Sequence, residues 1–332
     1  MRGLKLVIVA ALGLGLALYL LVYVGFGAVV SAAASVGWGG FAVLCLCALA
    51  MCPLLAAPWY GLLPAGSASA FRIFVWARMV REAATDVLPF SQLGGLVLGA
   101  RAAILHGVPA PMAFASTIVD VTTELLAQVG YIALGFAILS MHVPRTPLAT
   151  SLTRFFALGF ALALVAGAVF LALQRYGHRF ANRLAARLLP RAVAQAAAVG
   201  VALDAIYASR ARVALSAAIH FSAWIASAAV TWLAFRLIGV RIDFLSVIAI
   251  ESLVATVKGA AVLVPNGLGV QEGTYMLLAP LFGFGPQFGL AISLLKRARD
   301  IAVGVPILLV SQTVEGRRLL SGGAGADLTD SE

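Results

Sequence analysis

The residues of this chain equipped for chemistry are charges set inside apolar sequence. Asp120, Glu124 and Gln128 recur at i, i+4 and i+8, which places them on one polar stripe of an apolar helix. Glu251 and Lys258 lie two turns apart along one face of the next charged span, and Lys296, Arg297, Arg299 and Asp300 crowd together near the C-terminal end. Arg78, Arg81, Glu82 and Asp86 precede Pro89 in the same manner. A charge at the centre of a bilayer costs roughly 2.5 kcal/mol or more, so it is normally paired, turned toward protein or water, and tied to a ligand or ion path. Arg78, Arg81, Arg297 and Arg299 suit an anionic head group, because guanidinium is always charged and forks onto phosphate. Glu82, Asp86, Glu251, Glu272 and Asp300 would hold these arginines when the site is empty. For Asp120 and Glu124 a buried ion-pair network that fixes helix register is an equal reading.

Catalytic arrangements are not apparent. His106, His142 and His178 fall at or near loops and His220 stands alone in an apolar run, so none has a triad or metal partner by spacing. Walker A, H-E-x-x-H, G-x-S-x-G and D-x-D sequences do not occur. The expectation is no enzyme, no metal and no cofactor. Cys45, Cys47 and Cys52 share one apolar run without a histidine and read as buried thiols. Trp38, Trp59 and Trp76 read as membrane-interface anchors.

The elements that hold these charges must be membrane helices. Of 332 residues, 62% are hydrophobic and 11% charged, against about 45–50% and 25% in soluble domains. The net charge of +10 fits cytoplasmic loops facing anionic lipid better than nucleic acid. Leu6–Val24 follows Arg2 and Lys5 like a signal peptide but is long enough to remain as an anchor. Trp38–Tyr60, Pro111–Met141, Phe155–Leu173, Val213–Phe235 and Phe244–Val264 are further spans. The charged stretch from Arg72 to Asp86 cannot face lipid and reads as a cytoplasmic turn, which puts the N-terminus on the same side. Arg175, Arg179, Arg183, Arg187 and Arg191 recur every fourth residue beside Phe180, Leu184 and Leu188. That is either a head-group-binding helix on the cytoplasmic surface or a solvated basic loop.

The C-terminal third does not divide into simple spans. If Gly273–Leu295 were one helix, Ile301–Val314 would remain, fourteen residues where a crossing needs about 20. A break at Gly283, Gly285 and Pro286 instead gives one long helix from Gln287 to Val314 with the charged cluster inside it. A half-length helix, Thr274–Phe284, then follows the turn built from Pro265, Asn266, Gly267 and Gly269. An earlier break at Pro89, followed by Gly94 and Gly95, has the same order of features. This is an inverted repeat of about 38–173 and 213–314 joined by a basic segment 174–212, or a coincidence in a chain with 33 glycines and 13 prolines. Paired interrupted helices in corresponding halves point to a transporter site at the membrane midplane. The expectation is an all-α polytopic membrane protein with about 6–8 transmembrane helices, a single membrane domain over 1–316 and a disordered tail over 317–332.

The stretch Ala77–Pro89 with Gly94-Gly95, the turn Val264–Gly273, and Leu294–Asp300 with Gly304 and Pro306 resemble the lysylphosphatidylglycerol synthase transmembrane, flippase-like family, most closely its hopanoid-biosynthesis-associated HpnL branch. The resemblance implies a multi-pass protein of the bacterial inner membrane that moves or handles a lipid. Its implied partners are membrane lipids and lipid-biosynthesis or export proteins. Members that make lysylphosphatidylglycerol carry an added aminoacyl-transferase domain, which has no counterpart here, so synthase activity is not carried over. An intramembrane transferase using Glu272 or Asp120 as base, and a non-catalytic subunit of a lipid-modifying complex, are the alternatives.

Overall fold

The computed structural model describes residues 34–64, 69–88, 91–142, 157–161, 164–165, 168, 190–260 and 269–324, and the described chain is all helix with short turns. Nine α-helices are described between Gly37 and Ala324: α1 (Gly37–Gly61), α2 (Phe71–Val87), α3 (Ser91–Leu105), α4 (Ala110–His142), α5 (Pro190–Tyr207), α6 (Arg210–Leu237), α7 (Phe244–Ala260), α8 (Val270–Leu278) and α9 (Pro286–Ala324). Among the described residues, α1, α4 and α6 are long and apolar enough to cross a membrane. The chain is therefore an all-α polytopic membrane protein. The anchor at 6–24, most of the span at 155–173, the arginines from Arg175 to Arg187, and Pro89, Pro265, Asn266 and Gly267 lie outside the described residues, as does the side chain of Arg191.

Both predicted breaks are present. Leu88 is extended, with φ −86° and ψ 138°, as steric conflict with a following proline ring requires, and α3 starts at Ser91. In the second half, Gly283 takes φ 80°, a conformation that favours glycine, and ends a 3₁₀ turn (Ala279–Phe282) before α9 begins at Pro286. Proline is favoured there because the first helical N–H has no internal partner. The long-helix reading of the C-terminal third is thus correct. It spans ~58 Å at 1.5 Å per residue and runs on to Ala324, into the stretch that composition reads as disordered. The half-length helix starts at Val270 rather than Thr274, so Gln271 and Glu272 are helical rather than part of the turn.

Lipid tails are as apolar as leucine, so these helices gain little by hiding apolar surface from one another and rely on close packing instead. Glycines make the tight crossings. A Cβ on Gly95 of α3 would run into Thr85 and come 2.8 Å from the Arg81 carbonyl of α2, and one on Gly99 would come 3.2 Å from the Ala77 carbonyl. A Cβ on Gly289 of α9 would come 2.5 Å from the Tyr275 carbonyl oxygen of α8, and one on Gly135 of α4 would strike Ser252 of α7. The α2–α3 seam provides a direct test. Gly95→Val should lower stability by about 1–3 kcal/mol through overpacking. Gly94→Ala, where the added atom meets nothing within 4 Å, should be neutral or mildly stabilising, since alanine is the better helix former. Thermal unfolding of the two variants in detergent checks this, and equal melting would refute the seam.

The charged stretch Arg72–Asp86 is not an exposed turn. It forms most of α2, which packs against α1, α3 and α9 with Phe74, Ala77, Arg78, Val80, Arg81 and Ala84 buried. From Phe74 onward it escapes lipid by lying largely inside protein, while Arg72 is exposed. Trp59 is likewise no interface anchor: it is fully buried, donates from Nε1 to Ser116 Oγ at 3.0 Å and meets Phe74 edge-on. Trp38 is exposed, consistent with an anchor. Of the three thiols Cys52 is buried, while Cys45 and Cys47 are half-buried.

Candidate functional site

Two consecutive turns of α2 present Arg78 and Arg81 to two consecutive turns of α4, which present Asp120 and Glu124. The i, i+3 spacing of the arginines matches the i, i+4 spacing of the acids, because both put side chains on one helix face. Arg81 Nη1 donates to Asp120 Oδ2 at 2.6 Å and its Nη2 to Glu124 Oε2 at 2.6 Å. Arg78 Nη2 donates to Glu124 Oε1 at 2.8 Å, and its Nη1 reaches Asp120 Oδ2 at 3.2 Å. A third acid, Glu82, sits one turn along α2 with Oε1 2.8 Å from Arg78 Nε. Arg78 and Asp120 are 1% and 0% exposed. Asp120 and Glu124 are therefore partners shared by Arg78 and Arg81, in the buried ion-pair network that was one of their two sequence readings, while of the five acids expected to hold the arginines Glu82 does pair with Arg78.

His220 completes this group. It lies on α6, buried, with Nε2 2.9 Å from Asp120 Oδ1, so the histidine that spacing leaves alone has a carboxylate partner. Ligand atoms of Asp120, Glu124 and His220 converge to within 4.8 Å of one another. Two guanidinium groups already lie against both carboxylates, and a metal cation placed there would face them at close range. The arrangement is that of an ion-pair network.

The C-terminal cluster distributes its charges differently. Lys296 Nζ donates to Glu251 Oε2 at 2.6 Å and to Tyr275 Oη at 2.8 Å, and Tyr275 donates to Glu251. Arg297 donates from Nε and Nη2 to Glu272 Oε1 at 3.0 and 2.7 Å, while Glu272 Oε2 accepts the Gly269 N–H at 2.8 Å. Glu272 thereby caps α8 and ties it to α9. Arg299 pairs with its neighbour Asp300 at 2.6 Å. Lys258 does not pair with Glu251; its ammonium donates to Gln271 Oε1 at 3.1 Å, and Gln271 continues to Ser293 Oγ at 3.0 Å. Glu251 holds a lysine, not an arginine.

Between these two groups is a cavity of about 200 Å³ bounded by α1, α2, α4, α6 and α9. Its polar lining includes Arg78, Glu82, Asp86, Glu124, His220, Arg299 and Asp300, and its apolar side includes Cys52, Leu55 and Trp224. Glu251, Lys258, Glu272 and Arg297 are not in the lining. Of the two C-terminal arginines expected in a cavity, Arg299 is there and Arg297 is not. Sequence reasoning missed His220 and Tyr275. The only available signal for either was its polar type on an apolar helix.

No curated relative and no solved structure matches the chain. A family model described as the lysylphosphatidylglycerol synthase TM region matches residues 5–307, a range that takes in α1 to α8, the ion-pair network, the cavity and most of α9. By that match the chain belongs to the lysylphosphatidylglycerol synthase transmembrane-region family.

Proposed function

We propose that the protein is a lipid translocator of the bacterial inner membrane, passing the head group of an anionic or hopanoid-type lipid through the cavity without covalent change. Membership of the family supports a lipid-related role. The observation that carries the narrower reading is the charged cavity itself, bounded by five helices in an otherwise apolar chain, with Arg299 in its lining. At about 200 Å³ it falls below the roughly 300–1,000 Å³ of pockets that enclose whole drug-sized ligands. A head group fits such a space while its tails stay among lipids.

The arginines divide between two tasks. Arg78 already holds three acids and Arg81 two, so a phosphate would have to displace short, charge-assisted bonds to reach them. Among the described residues Arg299 makes its recorded ion pair with the adjacent Asp300 alone, and it is the guanidinium best placed to fork onto phosphate. Reconstitution into liposomes with fluorescent phosphatidylglycerol in one leaflet tests the reading. Appearance of the unmodified lipid in the other leaflet is the expected result. A covalently altered lipid would support a transferase instead, and neither outcome would support a non-catalytic subunit.

A further inference from the structure

Two observations about the cavity meet at His220. The first is charge balance. On the turns that line the cavity or pair with its lining, the described residues place three cations, Arg78, Arg81 and Arg299, against five acids, Glu82, Asp86, Asp120, Glu124 and Asp300. This cluster stays short of positive charge while His220 is neutral, even with one of its acids protonated. In a body of low dielectric such a deficit favours binding of a cation or a proton. The second is the geometry of the ring. With Nε2–H donated to Asp120 Oδ1 at 2.9 Å, the other nitrogen, Nδ1, carries the lone pair and has no partner among the described residues. The ring is 1% exposed and lines the cavity. Imidazole is also the side chain whose ordinary protonation falls between pH 5 and 8.

We infer that His220 is a proton-binding site of the cavity, and that entry of an anionic head group is linked to uptake of a proton at Nδ1. The linkage rests on the translocator reading given above. Its physical basis is that a phosphate arriving at Arg299 adds a negative charge to a cluster already short of positive charge. A proton taken from water onto Nδ1 offsets it without breaking the Asp120 bond. The groups facing His220 are Asp120 and Glu124 of α4, Arg78, Arg81, Glu82 and Asp86 of α2, Arg299 and Asp300 of α9 and Cys52 of α1. The arginines stay charged throughout, so they cannot adjust to the incoming phosphate by changing protonation, whereas the imidazole can.

The test compares wild type with His220→Gln, which retains an N–H donor for Asp120. Both are reconstituted with fluorescent phosphatidylglycerol at equal pH on the two sides of the membrane, from pH 8 down to 5.5. One proton per event limits the effect to about tenfold per pH unit. Wild type should move lipid several-fold faster at the acid end, and His220→Gln should vary by no more than about twofold. A rate that rises with pH would mean that the cavity takes a cation in exchange for the proton, and would overturn the inference. A variant with the wild-type pH dependence would overturn it equally. Proton uptake is read separately by adding glycerol 3-phosphate to detergent-solubilised protein in weak buffer. Uptake in wild type and none in His220→Gln is expected, and no uptake in wild type overturns the proton site. If no lipid moves at any pH, the translocator reading fails while the uptake measurement still decides whether His220 binds the proton. A melting curve for His220→Gln close to that of wild type shows that the comparison concerns charge and not folding.

Discussion

Replacing Arg78 by alanine is expected to cost the protein most of its stability. The guanidinium is buried against Glu82, Asp120 and Glu124. Removing it leaves three acids with one remaining guanidinium, Arg81, on two of them. Removing one partner of a buried pair costs about 3–5 kcal/mol, a large fraction of the roughly 5–15 kcal/mol that holds a typical domain together. The variant should accumulate poorly and unfold far below wild type in detergent. If the penalty comes from uncompensated charge, neutralising both sides should undo much of it. Arg78→Met combined with Glu124→Gln is therefore expected to melt well above Arg78→Ala. Wild-type accumulation and melting of Arg78→Ala would refute the network as a structural element.

Arg299→Ala should have the opposite profile. The residue leans on a sequence neighbour, joins no other helix by an ion pair that the structure records, and is partly exposed to the cavity. Its loss should leave folding close to wild type. A hydrogen bond to a charged group contributes about 1.5–3 kcal/mol, and each 1.4 kcal/mol is a factor of ten. Lipid movement should therefore fall by about ten- to a hundredfold. Lysine at the same position should restore part of the rate, because it keeps the charge and loses the fork. Arg297→Ala is the useful contrast. It frees Glu272 from α9 and weakens the cap on α8, so it should lower stability without a selective loss of movement. Leaflet-exchange rates measured beside melting curves separate the two. Unchanged movement in Arg299→Ala would refute the assignment of the head-group site.

Much of the helix order was legible because membrane spans have a minimum length. The fourteen residues from Ile301 to Val314 are too few to cross, so the helix had to begin before the charged cluster, and Gly283, Gly285 and Pro286 marked the break beside which α9 is observed to start. The Asp120–Glu124 stripe was legible from its helical spacing. Its partners were not. Arg78 is 42 residues from Asp120 and His220 is 100, and the pattern of apolar residues gives no orientation where a helix is apolar on nearly every side, as α1 is. Small residues such as Gly95 and Gly99 bring α3 onto α2. A glycine in sequence does not disclose which backbone it approaches. The reading of α2 as a cytoplasmic turn failed for a related reason. Charges that cannot face lipid have two places to go, water or other charges, and composition does not choose between them.

Four of the charged residues of α9 fall within five positions, 296 to 300, and successive side chains on a helix diverge by about 100°. Lys296 reaches α7 and α8, Arg297 reaches α8, and Arg299 and Asp300 face the cavity. A helix held in this way behaves as a fixed post, because rotation by one residue would break the Lys296 and Arg297 bonds to α7 and α8 together. By contrast, α1 meets the cavity through Ala48, Met51, Cys52 and Leu55, none of which carries a charge. Sliding along such a face breaks no ion pair, and the Trp59–Ser116 hydrogen bond is the polar tie to α4 that it would sacrifice. The wall through which a head group could enter or leave with the least disruption is therefore the α1 side, opposite the post.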